Sequence, residues 1–149
     1  MNNKCILKLS KNFTLDEMLR SATAEERKIY DQWSVPISVL KNLHALTTHI
    51  LQPLRDAVGQ IIITSGFRCK ALNDAVGGAK TSQHLIGEAV DFRCKDMKKA
   101  IYILQYLPFD QLIIYDTFIH VSYSEQRSRK VIINYASSEN LIPNGNVKN

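Results

Sequence analysis

The sequence contains few of the residues that mark unusual classes of protein. Cysteine occurs three times in 149 residues, at Cys5, Cys69 and Cys94, and no two form a CxxC pair. This odd, widely spaced set argues against a disulfide framework and favours synthesis in a reducing cytosol. Six glycines and four prolines are too few for collagen-like or low-complexity chains. No window approaches the roughly 18 apolar residues of a membrane span, and residues 1–8 lack an apolar run of signal-peptide length.

The composition is that of an ordinary globular domain with a basic bias. Hydrophobic residues make up 45% of the chain and charged residues 22%. A chain of 149 residues fits a single domain over residues 1–149. The net charge of +5 favours polyanionic partners, among which nucleic acid, an acidic cell wall and an anionic membrane surface all stay open.

A capping box and a proline mark two helix starts. Thr14 and Glu17 have the spacing of a capping box, which predicts a short helix over about 15–20. Pro36 suits a first helical turn, and apolar residues at a 3.6-residue period predict a long core helix over 36–58. Pro53 is predicted to kink this long helix, and Gly59 to end it. Two shorter helices are predicted at 70–75 and 96–107.

Strand signals dominate the second half of the chain. A β-branched run at 60–64 predicts a strand buried on both faces, and four further candidates lie at 88–93, 111–115, 118–123 and 130–135. Helices that mostly precede strands indicate an α+β fold, with an antiparallel sheet packed against the long helix. The core is predicted over about 11–135, followed by a polar, mobile tail at 136–149.

Ionisable residues are concentrated beside apolar strands, and three of them could form a metal site. His84 and Asp91 are seven residues apart, an odd offset that would put them on opposite faces of one continuous strand. Gly87 lies where a break could let both side chains converge. His120 lies in a strand with Ser122 on the same face. Two imidazoles and one carboxylate form a zinc set of the catalytic type, although ordinary structural roles stay an alternative from these residues alone.

The ordered motifs resemble those of the M15 family of zinc peptidases, the D-alanyl-D-alanine carboxypeptidases and related cell-wall endopeptidases. The motif Ser-x-His-x-x-Gly-x-Ala-x-Asp spans Ser82 to Asp91, and a His-Val-Ser motif follows at His120. The resemblance covers about residues 11–125. It includes Ser65–Arg68, Leu72-Asn73, Gly77-Gly78 and an opening at Phe13–Leu19 that is similar to a compact phage-type branch.

This resemblance implies a fold, a cofactor and a set of site residues. The expected fold is the single-domain D-Ala-D-Ala carboxypeptidase or Hedgehog-like type. The metal ligands implied for one Zn²⁺ per chain are His84, Asp91 and His120. Arg68 matches the arginine that receives a substrate carboxylate, and its planar fork suits that task. Ser82, Gln83 and Ser122 are the further candidates for substrate contacts or for support of the ligands.

The catalytic base is where the sequence departs from the family. Well-known members have Glu three residues before the last ligand, whereas position 117 here is Thr. Asp116 lies four residues before His120, which places both on one face if no turn intervenes. We therefore expect Asp116 to be the base, with another base or a loss of activity as the alternatives.

The resulting hypothesis is a zinc metallopeptidase that hydrolyses peptidoglycan stem peptides, as a D-Ala-D-Ala carboxypeptidase or an L-Ala-D-Glu endopeptidase. The alternative is a zinc-stabilised module on the same fold that binds cell wall or protein without catalysis. Nucleic acid is not an expected partner, because no aromatic and basic array accompanies the charge. We expect synthesis in the cytoplasm without a signal peptide, and action on the cell wall after release or within a phage particle.

Overall fold

The computed structural model describes residues 6–137, so Cys5 and nearly all of the predicted tail lie outside the described residues. The helices are α1 (Leu15–Leu19), α2 (Ala22–Glu26), α3 (Ile37–Leu46), α4 (Gln52–Val58), α5 (Lys70–Ala75) and α6 (Met97–Leu104). The strands are β1 (Ile61–Ser65), β2 (Ala89–Cys94), β3 (Gln111–Ile114), β4 (Ile119–Ser122) and β5 (Val131–Asn134). None of the helices described is long and apolar enough to cross a membrane.

Helices α3 and α4 form the predicted central helix, and the two are joined by a π-helical turn at Thr47–Leu51. This wider turn lies directly before Pro53, which has no backbone N–H to donate. Gly59 ends the helix with a φ of 85°, a conformation that favours glycine. At the start of the chain, Thr14 and Glu17 form the capping box predicted from their spacing.

The strands form one sheet in the order β1-β2-β4-β3-β5. The pairs β1/β2, β2/β4 and β3/β4 are antiparallel, whereas β5 runs parallel to β3. The α+β class is confirmed, and the sheet is mixed instead of purely antiparallel. Strand β1 is an edge strand on which Ile62 is 44% exposed, so the expectation that it is buried on both faces was wrong.

A buried carboxylate explains the direction of β5. Asp110 directly precedes β3, and its side chain accepts a hydrogen bond from the backbone N–H of Arg129, just before β5. The backbone N–H of Val131 also donates to the Asp110 carbonyl oxygen. The first residues of β3 and β5 are therefore held side by side, and the two strands run in the same direction.

The hydrophobic core lies between the central helix and one face of the sheet. The helix contributes Val39, Leu43, Leu46, Ile50, Leu51 and Leu54, and the sheet contributes Val90, Phe92, Leu112, Ile114, Ile119 and Val121. In β4 the alternation is the predicted one, because Ile119 and Val121 enter this core while His120 points to the other face. The core thus fixes the side of the sheet on which polar groups can gather.

Candidate active site

Two of the predicted ligands lie side by side on neighbouring strands. Asp91 on β2 is directly opposite His120 on β4 in the antiparallel register. Directly opposite residues of such a pair have their side chains on the same face. His120 Nδ1 lies 2.9 Å from Asp91 Oδ1, so the strand pairing alone brings two ligand atoms together.

The third ligand comes from a 3₁₀ turn at Gln83–Ile86 that precedes β2. Gly87 ends this turn in the left-handed conformation, with φ 77° and ψ 19°. The break predicted from the odd offset is therefore present, and it turns the His84 ring back toward β2. His84 Nε2 lies 3.3 Å from Asp91 Oδ1, and the His84 side chain is only 2% exposed.

A backbone carbonyl fixes the orientation of the His84 ring. His84 Nδ1–H donates to the carbonyl oxygen of Gly66 over 2.7 Å. This bond leaves Nε2 as the ring atom with a free lone pair. Gly66 itself is packed against Met18, because a Cβ built on Gly66 would lie 2.3 Å from the Met18 carbonyl oxygen. The close approach of two backbone segments thus holds the carbonyl that orients His84.

The three side chains are close enough to share one metal ion. One ligand atom each from His84, Asp91 and His120 lies within 4.8 Å of the others. A zinc ion with bond lengths of about 2.0–2.2 Å separates its ligands by about 3.3–3.6 Å. Asp91 Oδ1 lies 2.9 and 3.3 Å from the two imidazole nitrogens, at or just below that separation. Neutral imidazole nitrogens and a carboxylate oxygen are also ligands that zinc accepts.

Asp91 is the electrostatic centre of the group. Burial on its own would raise the pKa of this carboxyl, but the hydrogen bond with His120 and the neighbouring His84 ring hold it well below its usual range. Asp91 is therefore ionised at neutral pH, as a metal-binding carboxylate must be.

Arg68 and Ser82 lie beside this group. Arg68 Nη2 is 3.5 Å from Ser82 Oγ, which also accepts a hydrogen bond from the backbone N–H of His84 over 3.2 Å. Burial lowers the pKa of the Arg68 guanidinium, and the negative charge of Asp91 raises it. Among the described residues, buried Arg68 Nε has no hydrogen-bond partner. Arg68 thus carries a positive charge and an unused Nε–H donor beside the three candidate ligands.

The three candidate ligands, Arg68 and Ser82 all line one open cavity of about 590 Å³. A model of the peptidase M15 family matches residues 11–122, a segment that contains all five of these residues. The chain belongs to the peptidase M15 family. Membership makes it a peptidase of the metallopeptidase class. Comparison with curated proteins finds no match, and the phage-type branch stays a prediction.

Two of the further candidates, Gln83 and Ser122, differ in their position relative to the cavity of this M15 peptidase. Gln83 lines the cavity, and its Nε2 donates to Asp110 Oδ2 over 3.0 Å and to Glu88 Oε1 over 3.3 Å. Ser122 is fully buried, does not line the cavity, and accepts a hydrogen bond from the Gln111 backbone N–H over 3.0 Å. Ser122 thus fastens β4 to the start of β3, and its predicted contact with substrate is not supported by its position.

Asp116, the candidate base, lies away from the other predicted site residues. Asp116 is exposed in the turn between β3 and β4, and it does not line the cavity. Its Oδ1 accepts hydrogen bonds from the backbone N–H and the hydroxyl of Ser137 over 2.8 and 2.9 Å. The sequence argument assumed an unbroken strand, and the turn at residues 116 and 117 breaks the alternation on which it depended.

Two residues that were not predicted as site residues also line the M15 cavity. Arg127 and Arg129 belong to a basic stretch that the sequence indicates as a solvated turn, with contact to an anionic wall as the alternative. They are held by Asp110, which is completely buried. A buried carboxylate needs a partner, but nothing in the sequence marks Asp110 as buried or indicates which cation it meets.

Proposed function

We propose that this M15 peptidase is zinc-dependent and hydrolyses peptide bonds in the stem peptides of peptidoglycan. The observation that carries the proposal is the His-Asp-His group at the wall of a cavity that also holds Arg68. A peptide carboxylate beside Arg68 would bring a neighbouring amide close to these ligands. The basic net charge is also suited to work on an anionic wall.

Each residue has a defined task under this proposal. The metal would be held by His84 Nε2, Asp91 and His120, and when bound it supplies a Lewis acid that polarises the scissile carbonyl and activates water. Arg68 binds a carboxylate of the substrate through charge-assisted hydrogen bonds. Ser82 holds the His84 turn and offers its hydroxyl to the same substrate group. Because Arg68 is partly buried and pre-positioned, little ordering is needed when the peptide binds.

The first prediction concerns metal and substrate. Protein purified without added zinc and then loaded should bind one Zn²⁺ per chain, measured by elemental analysis. The loaded protein should shorten muropeptides or release D-alanine, measured by mass spectrometry, and a chelator should stop the reaction. Restoring zinc after the chelator is removed should restore it. Unchanged muropeptides in the presence of stoichiometric zinc would contradict the catalytic proposal.

A binding module without catalysis is the second candidate, and one observation favours it. Among the described residues that line the cavity, Asp91 is the one carboxylate, and it belongs to the ligand group. A peptidase needs a group that accepts the proton of the attacking water. A module of this type would bind zinc and muropeptides and leave both unchanged, so the same experiment distinguishes the two functions.

The second prediction tests the proposed base. Asp116→Asn should change kcat by less than about threefold, because Asp116 lies outside the cavity and is held by Ser137. Loss of a general base would lower kcat by roughly 10²- to 10⁴-fold. Asp31→Asn, on another exposed part of the chain, is the matched control. A fall of the larger size in Asp116→Asn alone would establish Asp116 as the base and require the turn to move.

A further inference from the structure

The β4–β5 loop brings two guanidinium groups into the cavity that holds the ligand group. Arg127 and Arg129 line this cavity together with His84, Asp91 and His120. In the sheet the ligand-bearing strands β2 and β4 are central, Arg68 follows the edge strand β1, and the two arginines precede the opposite edge strand β5. Positive groups therefore flank the ligands on both sides.

Asp110 holds the loop arginines in place. Arg129 Nε donates to Asp110 Oδ1 over 3.0 Å and Arg129 Nη2 to Oδ2 over 2.9 Å, which is a two-pronged pair. Arg127 Nε donates to Asp110 Oδ2 over 3.3 Å, and Gln83 Nε2 donates to the same oxygen. Burial alone would raise the pKa of Asp110, but these partners, chiefly Arg129, lower it to about 2.

The cluster presents its positive groups to the cavity and keeps its negative groups buried. One completely buried carboxylate faces two guanidinium groups, each of which has a side chain 48% exposed. Within the described residues, the side chain of Arg127 is bonded only through Nε, which leaves its terminal nitrogens as donors. Glu88, a second buried carboxylate, bonds to Gln83 and interacts electrostatically with Arg129; like Asp110, it does not line the cavity. A pre-positioned cation with unused donors is suited to bind an anion.

We propose that Arg127, positioned by Asp110 and Arg129, forms a second anion-binding position that receives a second carboxylate of the peptide substrate. The proposal rests on the proposed peptidase function and narrows its substrates to peptides with two carboxylates, one for Arg68 and one for Arg127. A carboxamide in place of the second carboxylate loses a charge-assisted hydrogen bond, and cleavage should slow by roughly 10- to 100-fold.

The test compares two substrates that differ in one group. Zinc-loaded full-length protein is given a stem peptide containing D-Glu with its α-carboxylate free, and the same peptide with that group as a carboxamide. Wild-type protein should cleave the acid form with the higher kcat/KM. Arg127→Gln should reduce this preference to within about twofold, mainly by slowing cleavage of the acid form, and Arg127→Lys should restore only part of it.

Arg127→Gln is the test variant because it should leave the fold intact. Arg129 neutralises buried Asp110, so its replacement would test folding as well as binding, whereas Arg127 contributes one longer hydrogen bond. Zinc content and Tm of Arg127→Gln should equal those of the wild type. Arg27→Gln, exposed at the end of α2, is the matched control and should keep the full preference.

Each outcome decides the proposal. Equal cleavage of the two peptides by wild-type protein, or an unchanged preference in Arg127→Gln, would overturn it and leave the peptidase function standing. If neither peptide is cleaved although zinc is bound, the peptidase function fails. Calorimetric titration of both peptides into the same proteins then decides: tighter binding of the acid form, lost in Arg127→Gln, supports the second anion position, and equal binding overturns it.

Discussion

Asp91→Asn is expected to abolish stoichiometric zinc binding and to lower kcat/KM by roughly 10³-fold or more, since a catalytic metal supplies several kcal/mol and each 1.36 kcal/mol is tenfold. Asp91 Oδ1 lies between the two imidazoles, at 2.9 Å from His120 Nδ1 and 3.3 Å from His84 Nε2. Asparagine is nearly the same size but carries no charge. The substitution therefore removes a ligand without opening a cavity.

A thermal measurement separates loss of the ligand from loss of the fold. Zinc should raise the Tm of the wild type, because a ligand at 100 times its Kd stabilises the folded state by about 2.7 kcal/mol. The Asp91→Asn protein should lack this rise and keep a zinc-free Tm close to that of the wild type. Asp74→Asn, at an exposed ion pair with Lys70 on α5, should behave as the wild type does. One tightly held zinc in Asp91→Asn would show that Asp91 is not a ligand.

Much of the candidate metal group could be predicted from sequence because parts of its geometry are local. The odd offset between His84 and Asp91 required a break, and Gly87 supplied the residue type that a left-handed turn favours. In β4 the alternation alone separated His120 from the core residues. The pairing of β2 with β4 then brought these ligands together. The first two steps depend on a single backbone conformation and on chain periodicity, whereas the strand pairing joins residues 29 positions apart.

The rest of the site depends on contacts that periodicity does not encode. Arg129 forms a hydrogen bond with Asp110, which lies 19 positions earlier in the chain. This pair holds the start of β5 beside the start of β3, and it also positions the arginines on the second basic side of the cavity. The expected shared face of Asp116 and His120 fails for a different reason. Side chains alternate between the two faces within a strand, and this alternation is lost across the β3–β4 turn. The signal that could have identified the pair of Arg129 and Asp110 is the burial of Asp110, which the sequence does not show.

Gly66→Ala is expected to cause the largest loss of stability among single substitutions at the site. The added Cβ would lie 2.3 Å from the Met18 carbonyl oxygen and 2.8 Å from its Cα. These atoms are backbone, and the next residue, Phe67, donates its N–H to the same Met18 oxygen over 2.8 Å, so the clash cannot be relieved by a rotamer change. Overpacking typically costs about 1–3 kcal/mol. A clash with backbone places this substitution at the upper end, about 3 kcal/mol, which corresponds to a fall in Tm of roughly 6–12 °C.

The same substitution should weaken zinc binding, because a displaced Gly66 no longer offers its carbonyl to His84 Nδ1. Loss of such an orienting partner lowers metal affinity by roughly 10- to 100-fold. Gly77→Ala is the informative control: its φ of 72° is strained for alanine, but nothing lies within 4 Å of the added Cβ. It should cost about 1–2 kcal/mol and leave zinc affinity unchanged. If Gly66→Ala lowered Tm and kept full zinc affinity, the Gly66 carbonyl would not be what orients His84, and the ring would have to be held by the turn that Ser82 caps.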